Sequence, residues 1–153
     1  MTGPRLLIGV GNPMRGDDGA GPLAARLLRE RLPDAKILEL EAPPLDLFTR
    51  WGPAFEVVVV DAARGDAPPG TVHRFDARAC PLPAALGRAS THGGGLPAAV
   101  ELARALATLP ASLEVYAVEG ETFDHGAELS APVVRAVSDL VERLAAGWRT
   151  PRA

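Results

Sequence analysis

Short apolar runs alternate with helical stripes along the first third of the chain. Leu6–Val10 is a continuous apolar run that ends at the turn-forming residues 11–13, so it predicts a buried strand. From Ala20 to Leu28 the apolar residues recur at helical spacing, which predicts the first helix. Ile37–Leu40 predicts a second, half-exposed strand, and Leu45–Trp51 predicts one or two helical turns.

The same alternation continues to the carboxyl terminus. Val57–Asp61 is rich in β-branched residues and predicts a central parallel strand that is covered on both faces. The remaining predicted elements are an outer strand at Thr71–Phe75, a helix that starts near Pro97, a strand at Leu113–Val118, and a last helix with Ser130 as its cap. This order predicts a single domain over residues 1–153, a three-layer α/β sandwich with a mostly parallel sheet.

Composition and charge exclude several classes of partner. The chain has 153 residues with 16 Lys and Arg against 19 Asp and Glu, so its net charge of -3 disfavours nucleic acid and anionic membranes. No apolar run approaches the roughly 20 residues needed to span a bilayer. A single cysteine, Cys80, excludes an intrachain disulfide and is expected to be a small buried hydrophobe. A reducing, cytoplasmic location is predicted.

The glycine-rich loop after the first strand, residues 9–21, is the first candidate site. A dinucleotide fingerprint requires glycine where Met14 stands, and a phosphate-binding P-loop requires lysine where Asp17 stands. Asp17 and Asp18 would repel phosphate. They would instead attract a metal ion, or simply cap the helix that follows, and their spacing does not decide between these two roles.

Two further polar residues lie in loops that are expected at the same edge of the sheet. Asp61 ends the valine strand, where it either binds a cation or caps neighbouring amides, and His92 precedes the Pro97 helix. If the strands are parallel, Asp18, Asp61 and His92 converge. Two carboxylates and one imidazole form an open shell for a divalent ion such as zinc or nickel.

The other polar residues are weaker candidates. His73 is expected to be an ordinary exposed residue of its strand. Glu119 belongs to a polar cluster after the last strand that forms either a rim of the site or a solvated loop, and the loop is the favoured interpretation. Ser90 lacks the glycine pattern of a nucleophile elbow, so it is a poor candidate for a nucleophile.

Three stretches of the sequence, Gly9–Pro22, Val59–Ala62 and Ser90–His92, closely resemble the hydrogenase maturation proteases. The resemblance implies a twisted central sheet flanked by helices. It implies an endopeptidase that removes the C-terminal extension of the large-subunit precursor of a nickel-iron hydrogenase after nickel insertion. It also implies that Asp18, Asp61 and His92 contact the metal. Some members of the family carry Glu at the position of Asp18. The family is not known to hold a stable metal, so nickel is expected to arrive on the substrate.

A hydrolytic mechanism without a serine, cysteine or threonine nucleophile must use water. Either the substrate-borne metal or a carboxylate, as in an aspartyl protease, would activate that water, with Asp18 and Asp61 as the candidate catalytic residues and Asp17 in reserve. Two alternatives stay open at this point. A noncatalytic nickel-binding assembly chaperone would use the same three residues for docking, and a nucleotide-binding domain would bind nucleotide saturably.

Overall fold

The chain alternates strands and helices as its hydrophobic pattern predicts. The computed structural model describes residues 4–54, 56–88 and 94–149. Its strands are β1 (Arg5–Val10), β2 (Lys36–Leu40), β3 (Glu56–Ala63), β4 (Val72–Asp76) and β5 (Ser112–Glu119). Its α-helices are α1 (Ala20–Arg31), α2 (Phe48–Trp51), α3 (Ala84–Arg88), α4 (Gly95–Ala105) and α5 (Ala131–Arg149), and a 3-10 helix at Gly16–Gly19 precedes α1.

The strands form one sheet in the order β2-β1-β3-β5-β4. All neighbouring pairs are parallel except β4, which runs antiparallel to β5 at one edge. The valine-rich β3 lies at the centre, as its β-branched run predicts. The three-layer α/β sandwich with a mostly parallel sheet is therefore confirmed.

Each face of the sheet is covered by its own hydrophobic core. One face of β3 packs Val57, Val59 and Ala63 against α2, α3 and α4. The opposite face packs Val58 and Val60 against α1 and α5. Because side chains alternate along a strand, Asp61 lies on the face that α3 and α4 cover.

The close approach of α1 to the sheet depends on glycine. A Cβ atom on Gly21 would lie 2.2 Å from the carbonyl oxygen of Val10 and 2.5 Å from that of Val60. A Cβ on Gly9 would lie 2.3 Å from the carbonyl oxygen of Gly21. The two glycines therefore let the start of α1 contact β1 and β3 directly, and this contact holds the preceding 3-10 helix beside the end of β3.

Several local features differ from the sequence expectations. The 3-10 helix and α3 were not predicted, because elements this short carry too few residues to show a period. The prediction for Cys80 is wrong, since this residue is exposed. It lies in the segment that runs over the surface from β4 to α3, between the turn after β4 and Pro81. No helix of the described ranges is long and apolar enough to cross a membrane.

Candidate functional site

The loop after β1 brings Asp18 to the carboxyl edge of the sheet. Gly11 has a φ of +145°, and a Cβ atom there would lie 1.9 Å from the carbonyl oxygen of Asp18. The loop can fold this tightly only because Gly11 has no side chain. The backbone N–H of Asn12 then donates to Oδ2 of Asp18 at 2.8 Å, which fixes the orientation of the carboxylate.

Asp61 meets Asp18 from the neighbouring strand. Its side chain is 4% exposed, and its Oδ1 accepts a hydrogen bond of 2.8 Å from the N–H of Ala62. Burial raises the pKa of Asp61 well above its usual value, and the nearby negative charge of Asp18 raises it further. The hydrogen bond from Ala62 lowers the pKa of Asp61, but it is the smallest of the three causes.

The pKa of Asp18 is also raised, chiefly by burial. The hydrogen bond from Asn12 and the positive charge of Arg15 oppose this change. Two adjoining buried carboxylates repel each other when both are ionised, so the pair gains most from a shared proton or from a cation between the two groups. This donor set suits a divalent metal ion.

The structure thus brings two of the three predicted site residues together, Asp18 and Asp61. The third, His92, lies outside the described residues. In the part of the chain that is described, no three His, Cys, Asp or Glu side chains form a group that could hold a metal ion. The metal-contacting role of Asp18, Asp61 and His92 stays a prediction.

Asp17 has a different environment from Asp18, although the two residues are adjacent. The Asp17 side chain is fully buried and accepts hydrogen bonds from the loop between β5 and α5. Its Oδ2 accepts from the N–H of Glu121 at 2.7 Å, the N–H of Thr122 at 3.2 Å and the hydroxyl of Ser130 at 2.8 Å. Its Oδ1 accepts from the N–H of Ser130 at 2.7 Å. These contacts connect two loops, so Asp17 is a structural residue and does not cap its own helix.

Sequence reasoning missed a second polar group near the acids. Glu119, expected in a solvated loop, ends β5 and is only 3% exposed. Its Oε2 accepts from the N–H of Gly65 at 2.9 Å, and its Oε1 lies 3.2 Å from Nε2 of His73. His73 is half-buried, so its expected role as an ordinary exposed residue was wrong. The two residues are 46 positions apart, and only the antiparallel pairing of β4 with β5 brings them together.

A cavity of 430 Å³ lies beside this pair. It is open between the sheet and α3, and the residues around it include Ala63, Phe75, Ala85, Leu86 and Ala117. No local sequence signal identifies it, because its lining comes from three strands, a short helix and the loops beside them.

Comparisons with known proteins agree with the fold. A model of the hydrogenase maturation protease family matches residues 27–146. The NiFe hydrogenase maturation protease HycI from Thermococcus kodakarensis KOD1 superposes with a TM-score of 0.75 at 25% identity, covering 96% of this chain and 93% of that one. The hydrogenase maturating endopeptidase HybD from Escherichia coli superposes with a TM-score of 0.73 at 22% identity, covering 95% and 92%. A search of curated protein sequences found no significant match.

The fold is that of the hydrogenase maturation peptidases. The chain belongs to the hydrogenase maturation protease family, because the family model matches more than half of the chain. It is therefore an endopeptidase that acts in hydrogenase maturation, and the resemblance noted in the sequence is confirmed.

Proposed function

We propose that this endopeptidase removes the C-terminal extension of a nickel-iron hydrogenase large-subunit precursor, and that it recognises the nickel which the precursor carries. The observation that supports the proposal most directly is the pair of buried carboxylates, Asp18 and Asp61. The two groups come from separate elements, burial raises the pKa of both, and the charge of Asp18 raises the pKa of Asp61 further. A fold would not retain such a pair for stability, so its use lies in binding or chemistry.

A substrate-borne nickel ion would relieve the repulsion between Asp18 and Asp61. The two carboxylates would supply oxygen ligands and His92 a nitrogen ligand, a donor set that suits a borderline divalent ion. Docking would thereby place the peptide bond to be cleaved next to the acids. The enzyme would bind a loaded precursor better than an empty one.

For the hydrolytic step, Asp61 and Asp18 are the proposed catalytic residues. Their raised pKa values bring one carboxyl group of the pair closer to neutral pH, the range in which a general base or acid works best. One carboxylate accepts a proton from the attacking water, and the protonated group can return it to the leaving amine. The hydrogen bonds from Asn12 and Ala62 hold the two side chains in position for this exchange.

The test is cleavage of purified precursor by the purified protein, followed by mass measurement. Nickel-loaded precursor should lose its C-terminal extension, and nickel-free precursor should not. Asp18→Ala, Asp61→Ala and His92→Ala should each leave a folded protein that fails to process the precursor. Asp124→Ala, at an exposed position, serves as the matched control and should process normally.

Three results would contradict the proposal. Full processing by the three site variants would exclude these residues from the site. Equal cleavage of nickel-free and nickel-loaded precursor would exclude recognition of the metal. Stable binding of loaded precursor without any shortened product would instead support a noncatalytic assembly chaperone.

A further inference from the structure

The cavity between the sheet and α3 lies on the same face of the sheet as Asp61. Along β3, Ala63 follows Asp61 by two residues, so both side chains point to this face, about 7 Å apart. Across the sheet, Asp61 pairs with Ala117, and Ala117 pairs with His73. These three residues form one lateral row on one face, with a small alanine between the acid and the histidine. The candidate site and the cavity therefore lie side by side on one face of the sheet.

The polar pair beside the cavity leaves an apolar surface for a ligand. Both oxygens of Glu119 are already engaged, one by the N–H of Gly65 and the other by Nε2 of His73. The His73 ring stacks with Phe75, with the centroids 6.0 Å apart and the planes at 27°. Glu119 thus holds the imidazole against the aromatic ring as part of the lining. The rest of the lining is mainly alanine, with Leu86 and Pro83, and one further charged residue, the exposed Asp66.

The cavity has the size of a ligand site. Its volume of 430 Å³ lies within the range of about 300 to 1,000 Å³ that is typical of binding pockets, and exceeds the volume of any single side chain. The chemistry of its lining favours a large apolar side chain over an acidic one, because most of the lining is apolar and its charged groups, Glu119 and the exposed Asp66, are carboxylates.

We propose that this cavity is a specificity subsite that binds one apolar side chain of the precursor near the cleaved bond. This inference rests on the proposed function. The strand register gives the distance from Asp61 to the cavity. The nearest lining residue on β3 lies about 7 Å from Asp61, and His73 lies two strand spacings of about 4.8 Å away. An extended substrate advances about 3.3 Å per residue. The bound side chain therefore belongs to the second or third residue from the bond that is cleaved.

Ala84, the first residue of α3, allows the cavity to be blocked without disturbing the core. It is exposed and lines the cavity. Ala84→Trp would place a large side chain in the space and narrow it, and Ala84→Glu would place a charge at its opening. Ala79→Trp is the matched control. Ala79 is also exposed, but it follows the end of β4 that lies beside the start of β5, away from the carboxyl ends of the parallel strands. A thermal unfolding measurement verifies that all three variants fold.

The experiment measures kcat and KM for cleavage of nickel-loaded precursor. We expect both Ala84 variants to raise KM about tenfold or more with kcat little changed, because they remove binding that is equal in the ground and transition states. Ala79→Trp should keep the wild-type KM. In the precursor, replacing one apolar residue two or three positions from the cleaved bond by aspartate should raise the wild-type KM by a similar factor. The same replacement should have little further effect on Ala84→Trp, since the two changes remove one contact.

The outcomes separate this inference from the proposed function. If the wild-type protein yields a shortened precursor but both Ala84 variants have its KM, the subsite is wrong and the peptidase assignment stands. Tolerance of aspartate at all these precursor positions also overturns the subsite. If the wild-type protein yields no shortened product at all, the proposed function fails, and the subsite fails with it.

Discussion

Substitution of the adjacent aspartates should separate folding from function. Asp17→Asn keeps the shape of the side chain but replaces one carboxylate oxygen by an amide NH₂. If the NH₂ takes the place of Oδ1, it faces the N–H of Ser130, and if it takes the place of Oδ2, three donors lose their acceptor. Either orientation therefore leaves at least one donor without a partner.

The magnitude follows from the four hydrogen bonds that the Asp17 carboxylate accepts. Bonds to a charged group contribute about 1.5–3 kcal/mol each, and a buried donor without a partner costs about 1–3 kcal/mol. We expect Asp17→Asn to lower the free energy of unfolding by about 3 kcal/mol. Asp17→Ala, which removes every acceptor, should cost more than about 4 kcal/mol, a large part of the stability of a small domain.

Asp18→Asn is the matched comparison. Among the described residues, its carboxylate accepts one hydrogen bond, from the N–H of Asn12, and the amide oxygen of Asn can accept the same bond. The substitution also removes a buried charge that makes ionisation of Asp61 less favourable. We expect the free energy of unfolding to stay within about 1 kcal/mol of the wild-type value or to rise. Processing of the precursor should nevertheless be lost.

Urea unfolding followed by tryptophan fluorescence, together with precursor cleavage measured by mass, tests these expectations. The reasoning is refuted if Asp17→Asn unfolds at the wild-type urea concentration. It is equally refuted if Asp17→Asn remains stable but inactive, since that result would place Asp17 in the chemistry. A large loss of stability in Asp18→Asn would show that this residue too is structural.

The remaining predictions concern pH, backbone contacts and metal. The pKa of Asp61 is higher in the folded state than its unfolded value of 3.8, so this group stabilises the fold most at low pH. Its contribution is lost as the pH rises from 3.8 through the pKa of the folded state. Urea unfolding across this range should therefore show that Asp61→Asn gains stability over the wild type as pH rises, and a constant difference would contradict this. Gly21→Ala should cost more than about 3 kcal/mol because its Cβ would meet two carbonyl oxygens, whereas Gly147→Ala in α5, with open space around its Cβ, should stabilise by about 0.5–1 kcal/mol. Equal melting temperatures for these two variants would disprove the close contact. If nickel arrives only on the precursor, a chelator should leave the melting temperature of the free protein unchanged, and a lower one would indicate a resident metal.

The hydrophobic pattern was sufficient to predict the sheet and the main helices. The valine run of β3 and the stripe of α5 are long and strongly periodic, so their type follows from local preference and burial. Parallel strands then placed Asp18 and Asp61 at one edge without any knowledge of contacts. The prediction that these two side chains lie close together therefore required only the parallel order of the strands.

The features that were missed depend on contacts between distant parts of the chain. His73 and Glu119 are ordinary polar residues in sequence, and the hydrogen bond between them exists because β4 turns antiparallel at the edge of the sheet. The division of roles between Asp17 and Asp18 was equally hidden. It depends on amides of residues 121, 122 and 130, more than one hundred positions away.

The partners of Asp17 have a consequence for synthesis on the ribosome. Translation delivers both acids of the site, Asp18 and Asp61, well before Ser130 emerges. Until then, the loop that carries Asp18 lacks the contacts that hold it in place. We expect chains that stop before Ser130 to be unable to process the precursor, so that activity begins only after this residue has been made and has folded back onto the loop.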